Sequence, residues 1–108
     1  RGLQAVGLDK PADLNGAKVL YLLLSDDFAD PAVVSTKDGA EFVVVQTSFE
    51  TPLLEQADVV LPSAIWSERS GTITNTEGRG LAVTVAVSPA GEARPDEQIL
   101  KDLSARLG

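Results

Sequence analysis

Three apolar runs limit what this chain can fold into. Residues 19–24, 42–45 and 59–61 are continuously apolar or aromatic, with no alternation between apolar and polar positions. A strand that is covered on both faces has this pattern, whereas a strand with one wet face alternates. The runs therefore predict inner strands of a parallel sheet. Pro62 follows the third run and lacks an amide hydrogen, so we expect that strand to end there.

Short helices are predicted between these strands. The dipeptides at 30–31 and 51–52 are Asp-Pro and Thr-Pro, which place a capping side chain before a proline, as is typical of a first helical turn. We expect one helix over residues 31–38 and another over residues 53–56. Strands that alternate with helices predict parallel pairing with right-handed crossovers. The fold class that follows is α/β, a parallel sheet with flanking helices.

The pattern changes in the second half of the chain. Apolar side chains alternate with small or polar ones over residues 81–87, which predicts a half-buried strand whose hairpin partner is residues 72–74. From Pro95 onward the chain has acids in the first helical turn, an arginine in the last turn and a glycine at the end, so we expect a terminal helix. Glycine and proline interrupt residues 1–16, and we expect an entry linker there.

Composition narrows the chemistry. The 108 residues carry a formal charge of −7 and contain neither cysteine nor histidine. An acidic surface repels nucleic acid, and no run approaches the roughly 20 apolar residues that cross a bilayer. Without cysteine or histidine the chain lacks the ligands of iron–sulfur clusters and most zinc sites, and also the usual general base. We therefore expect no catalytic residue, no metal site, no nucleic-acid partner and no direct membrane insertion.

The chain is predicted to be one domain, residues 1–108, cut from a longer polypeptide. Its hydrophobic content of 44% and charged content of 23% are globular values. It begins at Arg1 and contains no methionine.

Two features near the predicted strand ends have a plain and a functional interpretation. Asp26 and Asp27 follow the first strand, where solvated caps are the plainer interpretation and a Mg²⁺ site the functional one. The single tryptophan, Trp66, follows the third strand beside Ile65. A lone large aromatic at the mouth of a sheet is more often a plug over the core than part of an interface, so we expect a plug.

Several blocks resemble a known family in their order and spacing. The blocks are residues 57–62, 68–79, 91–96, 99–100 and 106–108. Together they resemble the molybdopterin oxidoreductase superfamily, in particular its formate dehydrogenases and the large iron–sulfur subunit of respiratory NADH:quinone oxidoreductase. The resemblance covers residues 18–108 and implies a Rossmann-like domain. In catalytic members, strand-end loops of this region help to hold the guanine-dinucleotide tail of the molybdenum cofactor.

Two departures from the family pattern fall on loops that are expected to face that cofactor. Residues 51–53 are Thr-Pro-Leu where catalytic members often have Thr-Glu-Thr, and residues 25–28 are Ser-Asp-Asp-Phe where they often have Gly-Glu-Asn-Pro. A retained scaffold with a lost pocket would have this pattern. The resemblance thus implies a non-catalytic structural domain of the large iron–sulfur subunit of a bacterial NADH:quinone oxidoreductase, holding no cofactor. Its partners would be other domains of that subunit and neighbouring subunits, on the cytoplasmic side and peripheral to the inner membrane.

The alternative that the resemblance leaves open is part of an enzyme. In that case the chain would belong to the molybdopterin-guanine-dinucleotide domain of a formate dehydrogenase-like oxidoreductase. The candidate cofactor contacts would then be Ser25, Gln46, Thr47 and Asn75.

Overall fold

The computed structural model describes residues 2–11, 13–24 and 39–108. Its elements in chain order are α1 (Gly2–Ala5), β1 (Val19–Leu23), β2 (Phe42–Thr47), a first 3-10 helix (Pro52–Gln56), β3 (Val59–Pro62), a second 3-10 helix (Trp66–Glu68), β4 (Gly71–Thr74), β5 (Gly80–Val83) and α2 (Asp96–Leu107). The α/β class that the sequence predicts is confirmed.

The three apolar runs form the predicted parallel sheet, in the order β1-β2-β3. Leu20 of β1 is opposite Val43 of β2, and Val45 of β2 is opposite Val60 of β3. Pro62 is the last residue of β3, as its missing amide hydrogen predicts.

One face of the sheet carries the main core. Leu20, Val43 and Val45 are buried there against Leu53, which the first 3-10 helix supplies. Thr51 caps that helix by accepting a hydrogen bond from the amide of Leu53 at 3.4 Å. The helix predicted over residues 53–56 is therefore present, but as a 3-10 helix that begins at the proline.

The hairpin is shorter than the alternating pattern predicts. β5 pairs with β4 only as far as Val83, opposite Gly71. Beyond it, the amides of Ala86 and Val87 donate to the carbonyl oxygen of Ser67, at 2.8 and 3.1 Å. The prediction of a strand to residue 87 was wrong because these donors bond the loop after β3 and not β4.

The N-terminal segment contains a single helical turn, α1, where we expected only a linker. The turn ends when Gly7 adopts a φ of +73°, and the amide of Leu8 donates to the carbonyl of Leu3 at 2.9 Å. A glycine reaches this left-handed conformation without steric cost, so it stops the helix after one turn. The helix predicted over residues 31–38 lies outside the described residues, as do Asp26 and Asp27.

The terminal helix is confirmed as α2. Asp96 and Glu97 lie in its first turn and Arg106 in its last, which complements the helix dipole. Ile99 is its buried residue. No helix within the described ranges is long and apolar enough to cross a membrane.

Candidate functional site

Ligands of open α/β sheets bind outside the carboxyl ends of the strands, so this edge is the candidate site. Here β2 ends in two polar residues, Gln46 and Thr47, and Ser63 follows β3. All three side chains are buried. The edge is therefore polar but closed, and the hydrogen bonds of its side chains determine what it can bind.

Gln46 is 0% exposed and uses both ends of its amide group. Its Oε1 accepts a hydrogen bond from the hydroxyl of Tyr21 on β1. Its Nε2 donates to Oδ1 of Asp96 at 2.6 Å. A buried amide side chain that is bonded at both ends is a structural connection between β1, β2 and α2.

Asp96 extends this connection to the loop after β3. Its Oδ2 accepts from Nη1 of Arg69 in an ion pair that is about one quarter to one third exposed on each side. The carboxylate also lies in the first turn of α2, where the helix dipole favours negative charge. Tyr21, Gln46, Asp96 and Arg69 are hereafter called the Gln46 network.

The Gln46 network affects the ionisation of its tyrosine. Burial raises the pKa of Tyr21 above its ordinary value of 10.0, and the nearby carboxylate of Asp96 raises it further. Both effects favour the neutral phenol, which can donate to Gln46. The hydroxyl therefore stays a donor at neutral pH.

Thr47 and the neighbouring serines also bond within the chain. The hydroxyl of Thr47 accepts from the amide of Phe49 and donates to its carbonyl oxygen, both at 3.2 Å. The hydroxyls of Ser48 and Ser63 are 3.0 Å apart. Beyond β3, Ser63 forms an isolated parallel bridge with Arg94, which brings the segment before α2 to this edge.

Asn75 lies in the hairpin turn and not at the sheet edge. Its Oδ1 accepts hydrogen bonds from the amides of Glu77 and Arg79, at 3.0 and 2.9 Å. Gly78 completes the turn with a φ of +86°. The side chain of Asn75 thus holds the loop between β4 and β5.

The four candidate cofactor contacts are therefore not assembled as a site. Gln46 and Thr47 are neighbours at the end of β2, Asn75 is in the hairpin turn, and Ser25 lies outside the described residues. Tyr21, Arg69 and Asp96 were missed as members of the polar edge. A hydrogen bond between residues 50 positions apart leaves no local pattern that could have identified them.

The carboxylates near the edge bond main-chain amides. Oδ2 of Asp58 accepts from the amide of Val43 at 2.8 Å, and Oε2 of Glu68 accepts from the amide of Ile65 at 3.1 Å. Within the described residues, no group of three or more histidine, cysteine, aspartate or glutamate side chains could hold a metal ion.

Trp66 is not a plug over the core. Its side chain is 60% exposed at the start of the second 3-10 helix. Leu53 and Ala64 are the buried residues of this region, so the core is closed without the indole. Trp66 instead lines a hollow of about 120 Å³ with Arg69, Ile73 and Val83. The prediction failed because the residue after Ile65 faces outward, and exposure of this kind is typical of interface tryptophans.

The parallel sheet, the terminal helix and the polar carboxyl edge define an α/β domain of the kind that binds or once bound nucleotides. Comparison with known proteins identifies the family. The family model described as molybdopterin oxidoreductase matches residues 2–106, and the chain belongs to this family.

Relatives of this chain include both enzymes and respiratory proteins. It is 42% identical over 95 residues to the F420-dependent formate dehydrogenase subunit alpha of Methanocaldococcus jannaschii, which covers 84% of this chain and 14% of that protein. It is 34% identical over 102 residues to a subunit of the NADH-quinone oxidoreductase of Rickettsia typhi, which covers 94% of this chain and 14% of that protein.

A solved structure has the same fold. Acetylene hydratase from Pelobacter acetylenicus matches with a TM-score of 0.67 and 31% identity, over 84% of this chain and 13% of that chain. The chain spans no more than 14% of the length of any of these three proteins.

Proposed function

We propose that this chain is a structural, non-catalytic domain of the large iron–sulfur subunit of a respiratory NADH:quinone oxidoreductase. The similarity to the Rickettsia typhi NADH-quinone oxidoreductase protein over 94% of the chain supports this assignment. Electron transfer would belong to clusters elsewhere in the subunit, because this chain has no cysteine to ligate one. Its partners would be other domains of the subunit and neighbouring subunits, on the cytoplasmic side of the inner membrane.

The observation that carries the proposal is the internal bonding of the candidate cofactor contacts. The side chains of Gln46, Thr47 and Asn75 each have hydrogen-bond partners within the chain. A nucleotide that used Gln46 would have to separate its amide from Tyr21 and Asp96 and expose a buried group. Leaving such a buried polar group without its partner costs on the order of 1–3 kcal/mol. The three side chains therefore do not fit the tail of a dinucleotide cofactor in this arrangement.

The loop after β2 supports the same conclusion. Leu53 replaces a polar residue of the catalytic pattern, and its side chain is buried in the core. Thr51 caps the 3-10 helix that carries it. Two of the three positions at 51–53 are thus used for packing and capping.

A second candidate is the dinucleotide-binding part of a formate dehydrogenase-like molybdenum enzyme. The 42% identity to the formate dehydrogenase subunit favours it. Its cofactor would be molybdopterin guanine dinucleotide, with Ser25, Gln46, Thr47 and Asn75 as contacts, and these residues would bind and orient the guanine nucleotide tail.

Guanosine diphosphate separates the two candidates. It is titrated into the full-length polypeptide, in which only this chain carries an isotope label, while the amide resonances of Gln46, Thr47 and Asn75 are followed. Adenosine diphosphate serves as the control ligand. We expect no saturable shift that is specific to the guanine nucleotide. Saturable shifts at these amides that Thr47→Val abolishes would favour the enzyme.

A further inference from the structure

The parallel sheet has a second face that this chain leaves largely uncovered. The strand registers place Val19, Tyr21, Leu23, Phe42 and Val59 together on the face opposite the core. Their exposed fractions are 63%, 36%, 51%, 42% and 37%. These five residues are hereafter called the open face.

The sequence of the strands does not match a face that is open to water. Parallel sheets are covered on both faces, and their strands are continuously apolar for that reason. A strand with one solvated face would have polar residues at positions 19, 21, 23, 42 and 59, and here every one of them is apolar or aromatic. The open face therefore has the composition of a buried surface and the exposure of an outer one.

The described parts of this chain cover the open face only at one end. Gln46 lies on the same face and is fully buried, because the first turn of α2 reaches it through Asp96. The crossover from β2 to β3 passes over the other face, where Leu53 joins the core. Right-handed crossovers in a sheet that grows in one direction all pass over the same face. The chain's own connections therefore leave the open face to another element.

We propose that the open face is the docking surface for an amphipathic helical layer that a part of the same polypeptide outside residues 1–108 supplies. The inference rests on the proposed function only in treating the chain as part of a longer polypeptide, and not on the absence of a cofactor. The chain spans no more than 14% of the relatives compared above, which leaves ample chain for such a layer.

Chemistry favours a helix over a second copy of this sheet. The second face of a parallel sheet is covered by helices, whereas sheet-on-sheet packing is found between antiparallel sheets. At the rim of the open face, Nζ of Lys18 and Oε1 of Glu41 are 3.9 Å apart and both side chains are exposed. The expected partner is a helix with an apolar stripe over Tyr21 and Phe42 and with charged residues of either sign beside this pair.

Site-specific photo-crosslinking identifies the occupant directly. The amino acid p-benzoylphenylalanine replaces Phe42 in the full-length polypeptide within its native assembly, and mass spectrometry locates the crosslinked peptide. The same replacement of Phe49, an exposed phenylalanine in the loop after β2, is the matched control. We expect Phe42 to crosslink to a helical segment of the same polypeptide outside residues 1–108. Crosslinks to residues 25–38, to another subunit or to a second copy would overturn the proposal, as would no crosslink or capture of the same peptide from both positions.

A second measurement needs no substitution. Hydroxyl-radical oxidation of Tyr21 and Phe42 is quantified in the purified full-length polypeptide, first folded and then unfolded in urea. We expect oxidation to be several-fold slower in the folded polypeptide, even when other subunits have been removed. Equal oxidation rates, or protection only in the complete assembly, would overturn the proposal. Neither readout depends on a cofactor, so the proposed function can fail while this inference stands.

Discussion

Gln46 and Asp96 are 50 positions apart in the sequence, yet Nε2 of the glutamine donates to Oδ1 of the aspartate at 2.6 Å. This hydrogen bond fixes the first turn of α2 against the end of β2, at the edge where related folds bind nucleotides. The group that could recognise a ligand here is instead part of the domain's internal structure.

Replacing Gln46 by leucine should destabilise the fold. Leucine keeps most of the volume but leaves the Tyr21 hydroxyl and the Asp96 carboxylate without their shared partner. We expect a loss of about 1–3 kcal/mol in the free energy of unfolding, measured by urea denaturation. Gln98→Leu, at an exposed position of α2, is the matched control and should change little. Equal losses from both variants would contradict the role of the Gln46 network.

The pKa of Tyr21 predicts how stability depends on alkaline pH. Burial, and then the Asp96 carboxylate, raise this pKa in the folded state above its ordinary value of 10.0. The resulting stabilisation is fully present below pH 10.0 and is lost as the pH rises through the folded-state pKa, because the unfolded chain ionises first. Tyr21 is the only tyrosine of the chain, so tyrosinate absorbance reports on it directly.

We expect the absorbance midpoint of the folded chain to lie above that of the chain in urea. Asp96→Asn should move it part of the way back, because it removes the smaller of the two causes. Identical midpoints in the folded and unfolded chain would contradict this prediction.

Asn75 should stabilise the hairpin turn. Asn75→Ala removes the acceptor for the amides of Glu77 and Arg79, which should destabilise the turn by about 1–2 kcal/mol. Hydrogen exchange at these two amides should accelerate accordingly, and Asn75→Asp, which keeps the acceptor oxygen, should restore most of the protection. Asn15→Ala, at an exposed position before β1, is the control. Unchanged exchange in Asn75→Ala would contradict the assignment.

Trp66 and Leu53 should differ sharply in their effect on stability. Trp66→Ala at an exposed site should cost at most about 1 kcal/mol. Leu53→Ala in the buried core should cost about 2–5 kcal/mol. Both are measured by urea denaturation. If Trp66→Ala costs as much as Leu53→Ala, the indole is a plug after all.

The parts of the fold that local patterns determine were predictable. The continuous apolar runs predicted the parallel strands, because burial on both faces removes alternation. The distribution of charges predicted α2, because a helix carries its own dipole. The proline at position 52 predicted the start of a helix, although not that the helix would be a 3-10 helix.

The parts that depend on distant partners were not predictable. Residues 84–87 alternate like a strand, but the amides of Ala86 and Val87 bond Ser67 and not β4. The Gln46 network joins four separate segments, and nothing near Asp96 in the sequence distinguishes it from an ordinary helix-start acid. The exposure of Trp66 depends on how the loop leaves β3, which the sequence pattern does not encode.

The metal and pterin content of the native assembly tests the central claim most directly. The full-length polypeptide is purified within its complex, its molybdenum and tungsten are measured by mass spectrometry, and its pterin is released by oxidation and quantified by fluorescence. A structural domain without cofactor predicts that neither the metals nor pterin are present in proportion to the polypeptide. Molybdenum or tungsten together with pterin in stoichiometric amounts would contradict the account.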